Sequence, residues 1–353
     1  METSAIDRAR ATEFASETTY LNTSTCGLLP RRAVEAVRTL AADSAVGVRG
    51  GVGSFEAVDA ARAGFARIAG VAPSRVAVGG SVAAHVGLVA ASLPPGAEVV
   101  APTGEFSSVV SPFAVRGDLK LRFVPLDGLA DAVRPGTALV AFSAVQSSDG
   151  RVADLGAVRA AAAAHGARTM LDASQSAGWL PLDAGAYDYT VTGGYKFLMC
   201  PRGSSFLTVT EEAQETLPSL YASWVAAEDR WNSTYGPVEK LAVDARRFDE
   251  PVAFLAYHGA EQSLDVLNGV GVDAVHTHAT GLAARFREGL ASIGQDPVPG
   301  TSAIVAVPGL GGREPDLAAA GVMVSARAGN LRAAFHLYNT DADVDRALEV
   351  LAG

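Results

Sequence analysis

Between residues 30 and 210, apolar positions fall into short continuous runs rather than into an alternation of apolar and polar. Seven runs have strand length and β-type composition: VAVG (76–79), EVVAP (98–102), LRFVP (121–125), ALVAFSAV (138–145), RTMLDAS (168–174), DYTVTG (188–193) and SFLTV (205–209). Alanine-rich stretches such as SVAAHVGLVAASL (81–93) and LGAVRAAAAAHG (155–166) separate most of them and predict helices. A strand that is apolar on both faces needs cover on both, so the alternation predicts an α/β fold with a seven-stranded, mostly parallel sheet. DYTVTG and SFLTV have no helix between them, which predicts an antiparallel pair at that point.

Beyond residue 210 the pattern changes. A long mixed stretch (211–241) leads to an amphipathic helix near 252–267, then to strands AIVAV (303–307) and LRAAFHL (331–337) and a closing helix DADVDRALEVL (341–351). Asp341, after Asn339 and Thr340, marks the N-cap region of that helix. The expected division is an N-terminal segment (1–25), a large domain (26–245) and a smaller α+β domain (246–353).

Composition narrows the function classes. At 353 residues with 49% hydrophobic and 19% charged, the chain buries a sizeable core across one large and one small domain. A formal charge of -10 and the lack of a basic stripe argue against a nucleic-acid partner. No uninterrupted apolar run approaches the ~18 residues of a membrane span, and METSAIDRARATEFASE has no apolar core of a signal peptide. Cys26 and Cys200 form no CxxC, which points to a reducing compartment and no structural zinc, so the cytoplasm is expected. His276 and His278 show no metal-ligating pattern, and no metal is expected.

The chain has three lysines, and Lys196 is the one out of place. Lys120 and Lys240 sit among charged neighbours, whereas Lys196 lies inside DYTVTGGYKFLMCPRGSSFLTV (188–209), flanked by apolar β-formers. An ammonium in that setting costs several kcal/mol unless something pairs with it or reacts with it. Two readings follow: a lysine that snorkels or pairs with an acid, or an amine whose pKa desolvation has lowered until it is nucleophilic.

Two further features fall at strand ends, where open α/β sheets bind ligands. Asp172 ends RTMLD, about two dozen residues before Lys196, and an acid there needs a cation or a hydrogen-bonding role. Gly79-Gly80-Ser81 closes one strand and opens a helix, so its free N–H groups suit a phosphate, although GxGxxG and the Walker lysine are both missing. Together they meet the demands of pyridoxal phosphate: an amine for the aldehyde, an anion for the ring nitrogen and a helix N-terminus for the phosphate.

At LDASQSAGWLPLD (171–183) and GGYKFLMCPRGSSFL (193–207) the sequence resembles the class V aminotransferase family of fold type I pyridoxal-phosphate enzymes. That family includes isopenicillin N epimerase-like proteins, kynureninase and cysteine desulfurases. The resemblance runs from LNTSTCGLLP (21–30) to RAAFHLYNTDADVDRALEVL (332–351). It implies that Lys196 forms the internal aldimine and shuttles the α-proton, that Asp172 pairs with the pyridinium nitrogen, and that Gln175 bonds the ring hydroxyl. Phe106 would stack on the ring, Tyr195 would reach the phosphate, and Gln146 and Ser147 would lie beside the ring hydroxyl and the substrate. Arg332 matches the arginine that clamps a substrate carboxylate, with Arg327 near enough to compete, and the 1–25 segment with Asn22 and Thr23 would line the active-site mouth.

The sequence departs from the family's pattern at the phosphate. Gly193 stands where relatives carry a hydroxyl three residues before the lysine, leaving Thr192 as its substitute, and the cradle rests on Gly80, Ser81 and the backbone of Val82 and Ala83. RRFDEPVA (246–253) lacks the threonine that some relatives lend to the partner subunit's phosphate, and Cys200 replaces a glycine. The stretch 312–332 has no cysteine, which excludes cysteine desulfuration. The resemblance therefore implies a homodimeric enzyme acting on an amino acid or amine. Aminotransferase ranks first, with epimerase or C–S/β-elimination lyase as the alternative and a non-catalytic cofactor-binding protein last.

Overall fold

The computed structural model describes residues 4–353. Its strands, in chain order, are β1 Thr19–Tyr20, β2 Val76–Gly79, β3 Glu98–Pro102, β4 Lys120–Val124, β5 Thr137–Ser143, β6 Arg168–Asp172, β7 Tyr189–Gly193, β8 Ser205–Val209, β9 Ile304–Val307, β10 Val322–Met323, β11 Ser325–Arg327 and β12 Asn330–Ala334. All seven apolar runs join one sheet in the order β2-β8-β7-β6-β5-β3-β4. β8 runs antiparallel to both of its neighbours, as the missing helix before it requires, and the remaining pairs are parallel.

Alternation along the strands builds a core on each face of this sheet. On β5, Val140 and Phe142 enter a cluster with Val76, Leu171 and Phe206, while Leu139 and Ala141 enter the opposite one with Met170, Val191 and Leu207. Helices Arg31–Ala45 and Phe55–Ala69 pack against helix Phe254–Val270, and Phe65 stacks on Phe206 at 4.4 Å. Each fully buried side chain of this size contributes about 1.5–3 kcal/mol. Antiparallel β9, β11 and β12 form a second sheet, and β1 pairs with β10. No helix among the described residues is long and apolar enough to cross a membrane.

Two details differ from the sequence expectation. A 21-residue helix, Val272–Ser292, precedes β9 and contains both His276 and His278. The N-cap of helix Asp341–Ala352 is Thr340, not Asp341. Thr340 and Asp343 close a reciprocal capping box, and Asp341 moves into the first turn, where its negative charge complements the positive end of the helix dipole.

Candidate active site

Strand ends converge at one edge of the large sheet. Ser143 and Asp172 are paired at the ends of β5 and β6, and Gly79 and Gly193 flank Ser205. The chain turns sharply after β6: Ser174 N–H donates to Asp172 Oδ1 at 2.7 Å, and Ser174 Oγ accepts from Gly193 N–H at 2.9 Å. Those bonds tie the acid-bearing turn to the segment that carries Lys196.

Lys196 sits in a compact loop after β7, closed by Gly194 N–H to the Ser204 carbonyl and Met199 N–H to the Lys196 carbonyl. The mouth segment lies directly on it. Gly27 N–H donates to the Tyr195 carbonyl at 2.8 Å, and a Cβ on Gly27 would come 2.1 Å from the Lys196 carbonyl oxygen, so only glycine fits. Lys196 is 7% exposed, with Nζ 5.1 Å from the Phe106 ring centroid. Burial lowers its pKa to about 8 against the pull of Asp172, and the positive fields of Arg332, Arg202 and Arg327 lower it further. Burial raises the pKa of Asp172, opposed chiefly by the charge of Lys196.

Both residues line a cleft of about 80 Å³ together with Gly80, Ser81, Val82, Phe106 and Tyr195. At one end Ser81 caps helix Val82–Ser92, with Oγ accepting from Ala84 N–H, and leaves the helix start facing the cleft. Ala83 and Thr192 are not part of the lining. Thr192 lies opposite Phe206 on β7 and faces the first core, because neighbouring strand residues point to opposite sides of the sheet; Gly193 faces the cleft.

A second group of predicted residues gathers beside the cleft. Gln175 Nε2 donates to the Ser24 carbonyl at 3.0 Å and to Ser147 Oγ at 3.1 Å. Ser147 in turn accepts from Arg332 Nη1 through both its carbonyl and its hydroxyl. Arg332 also bonds Ser325 Oγ and Thr25 Oγ1, and the exposed Arg327 reaches that same Thr25 oxygen at 3.3 Å. Gln146 is held through Nε2 by Glu105, whose carboxylate also accepts from Ser143 and from Phe106 N–H. In the mouth segment Thr23 is buried against the Tyr338 hydroxyl, and Asn22 bridges to Ala334 with an unpartnered Oδ1.

Residues 19–347 match the family described as Aminotransferase class-V. The chain belongs to the class V aminotransferase family. An uncharacterized aminotransferase, YcbU, of Bacillus subtilis is 27% identical over 85% of this chain and 84% of its own length. The isopenicillin N epimerase of Amycolatopsis lactamdurans is 28% identical over 94% of each chain. A cysteine desulfurase from Thermococcus onnurineus superposes with a TM-score of 0.84 at 21% identity, covering 98% of this chain and 96% of that one. The fold is that of fold type I pyridoxal-phosphate enzymes, and the cofactor is pyridoxal 5'-phosphate.

The residues present fit that group. The buried Gln175 Oε1 has no hydrogen-bond partner among the described residues and offers an acceptor beside the Asp172 turn. Asp172 is a buried anion and Lys196 a buried amine, and the helix start supplies N–H donors at the far end of the cleft. One contact of this chain runs the other way. Glu250 Oε2 accepts from Gly80 N–H at 3.1 Å, placing a carboxylate at the helix start. Sequence reading missed Glu250, as it missed Glu105, Thr25 and Arg202, since each meets its partner only through the fold. Glu105 alone left a trace, standing directly before Phe106.

Proposed function

We propose that this class V enzyme is an aminotransferase in which Lys196 is the covalent anchor and the proton carrier. The observation behind this reading is the set of ionisable side chains in the cleft lining: Asp172, Tyr195 and Lys196. When bound, the cofactor supplies a ring that withdraws electrons from the carbon next to the substrate amine. Lys196, with its pKa near 8, alternates between amine and ammonium and moves a proton to or from that carbon. Asp172 is the anion that keeps a proton on the ring nitrogen, and Gln175 Oε1 accepts from the ring hydroxyl. Gly80, Ser81 and Val82 hold the phosphate, Phe106 stacks on the ring, and Gln146 and Ser147 flank it. Arg332 receives the substrate carboxylate.

With Asp172 committed to the ring nitrogen and Tyr195 to the phosphate, Lys196 is the base left to the α-carbon, which suits transamination or elimination better than epimerisation with a base on each face. Elimination and epimerisation are the alternatives, the latter favoured by the isopenicillin N epimerase relative. The same proposal takes the protein as a cytoplasmic homodimer acting on a small amino acid or amine, divided at about residues 25 and 245.

Incubating the holoenzyme with an amino-acid panel tests the reaction. Conversion to the pyridoxamine form supports transamination. Ammonia with an oxoacid means elimination, and solvent deuterium at the α-carbon with racemisation means epimerisation. A yellow band that borohydride removes and Lys196→Ala lacks supports the anchor; protein that stays colourless with added pyridoxal phosphate refutes it.

A further inference from the structure

The hairpin of β11 and β12 turns through Ala328 and Gly329, both with positive φ (48° and 80°). Its register sets Ser325 opposite Arg332 and Arg327 opposite Asn330. Directly opposed residues share a face, and positions two apart on a strand share it too, so both arginines project from the same side. That side meets the loop beside the cleft: Asn330 Nδ2 donates to the Ser148 carbonyl at 3.2 Å, and Arg332 bonds Ser147.

The two guanidiniums converge on one neutral oxygen, Thr25 Oγ1, at 2.9 Å from Arg332 and 3.3 Å from Arg327. A hydroxyl provides lone pairs but no charge. Neither arginine forms an ion pair among the described residues, although the chain carries 38 acids against 28 lysines and arginines. Their N–H groups are committed unequally. Arg332 spends Nε on Ser325, Nη1 on both oxygens of Ser147 and one Nη2 hydrogen on Thr25, leaving a single N–H. Arg327 is exposed and among the described residues bonds only the Ala326 carbonyl and Thr25, leaving three. A third guanidinium, Arg202, lies over the Tyr195 ring at 4.2 Å, also without an ion pair among the described residues. One substrate carboxylate balances one of these charges and leaves a free guanidinium edge at the mouth.

We infer that the substrate is an amino acid with a second carboxylate, its α-carboxylate received at Arg332 and its other acid group at Arg327. This rests on the amino-acid reading above and deepens it by naming the substrate class.

The holoenzyme is titrated calorimetrically at low salt with succinate, glutarate and adipate, and in parallel with butyrate, pentanoate and hexanoate. None of these carries an amine, so binding is read without turnover. The best dicarboxylate is expected to bind at least about tenfold tighter than its monocarboxylate match, which corresponds to about 1.4 kcal/mol. Arg327→Gln should bring the two series to equal affinity, and Arg327→Lys should restore part of the preference. Arg332→Gln should weaken both series. Equal affinity of the two series in the wild type, a preference that survives Arg327→Gln, or no binding of either series overturns the inference. The anchoring role of Lys196, tested by borohydride, stands or falls separately.

Discussion

At the residue scale, the pKa of Lys196 is the quantity from which a pH response follows. Burial holds it near 8, well below the 10.5 of a free lysine, with Asp172 as the principal opposing charge. Capture of added pyridoxal phosphate by the apoprotein should therefore rise with a midpoint near pH 8, followed by absorbance after borohydride trapping. Asp172→Asn removes the charge that raises this pKa, so its midpoint should lie lower still; an unchanged midpoint would show that the two groups are not coupled. The sign for stability follows from the same pair of values. Between pH 8 and 10 the unfolded chain keeps a lysine proton that the folded one has released, so stability gains from Lys196 as pH rises. Lys196→Met should flatten that slope in denaturant unfolding curves. Glu250 supplies a second residue-scale test. Its carboxylate at Gly80 N–H opposes a phosphate at the same helix start. Glu250→Gln should tighten cofactor binding about two- to fivefold, the scale of a single charge at a helix terminus, measured by fluorescence titration of the apoprotein.

At the element scale, the Glu250 carboxylate is placed by its neighbour. Asp249 is fully buried, ion-paired with Arg62 at 2.7 Å, and accepts from Val78 N–H at 2.9 Å, pinning segment 245–250 along β2. Asp249→Asn leaves the buried Arg62 charge with only the half-exposed Asp59, at 3.4 Å, as a counter-ion. It should cost about 3–5 kcal/mol in urea unfolding; a loss below about 1 kcal/mol would mean that water reaches the pair. This segment also shows where sequence reading stops. The seven strands were legible because each is a short apolar run bounded by turns, a purely local signal that held even for the largely unburied edge strand β4. Lys196 and Asp172 were legible because charge inside such runs is costly wherever the chain goes. Helix Val272–Ser292 was not separated, because its stripe of Val275, Ala279, Leu282, Phe286 and Leu290 is diluted by the polar run of His276, Thr277, His278, Thr280 and Gly281 on its other faces. Arg62 and Asp249 are 187 residues apart, Glu105 and Gln146 are 41 apart, and Thr25 and Arg332 are 307 apart. Pairings of that kind are set by sheet order and helix packing, to which a linear pattern is blind. Thr192 failed as a cradle hydroxyl for a local reason instead: strand parity turns it away from the cleft.

At the scale of the whole molecule, the proposed homodimer makes a demand on the surface. Phe55 touches Trp224, Trp231 and Phe254 at ring-centroid distances of 5.2–6.0 Å, and Arg230 lies over its ring at 4.2 Å. This aromatic group borders an open cleft, with Trp231 itself 73% exposed and Val52 75%. Contiguous apolar surface rimmed by polar groups marks an interaction site more often than a bare monomer surface. The chain continues from this patch through Ala227 and Leu241, which bridge to each other, into Asp249 and Glu250 at the Gly80 end of the cleft. A second copy seated on the patch would therefore press on the same segment that sets the charge at Gly80, linking assembly to cofactor affinity. Trp231→Glu places a charge in the middle of that face while removing little buried area, so the fold should survive. Light scattering should then find a dimer for the wild type and a monomer for the variant, with weaker binding of pyridoxal phosphate in the variant. A wild-type monomer would refute the dimer, and a monomeric variant with unchanged cofactor affinity would refute the link between the two.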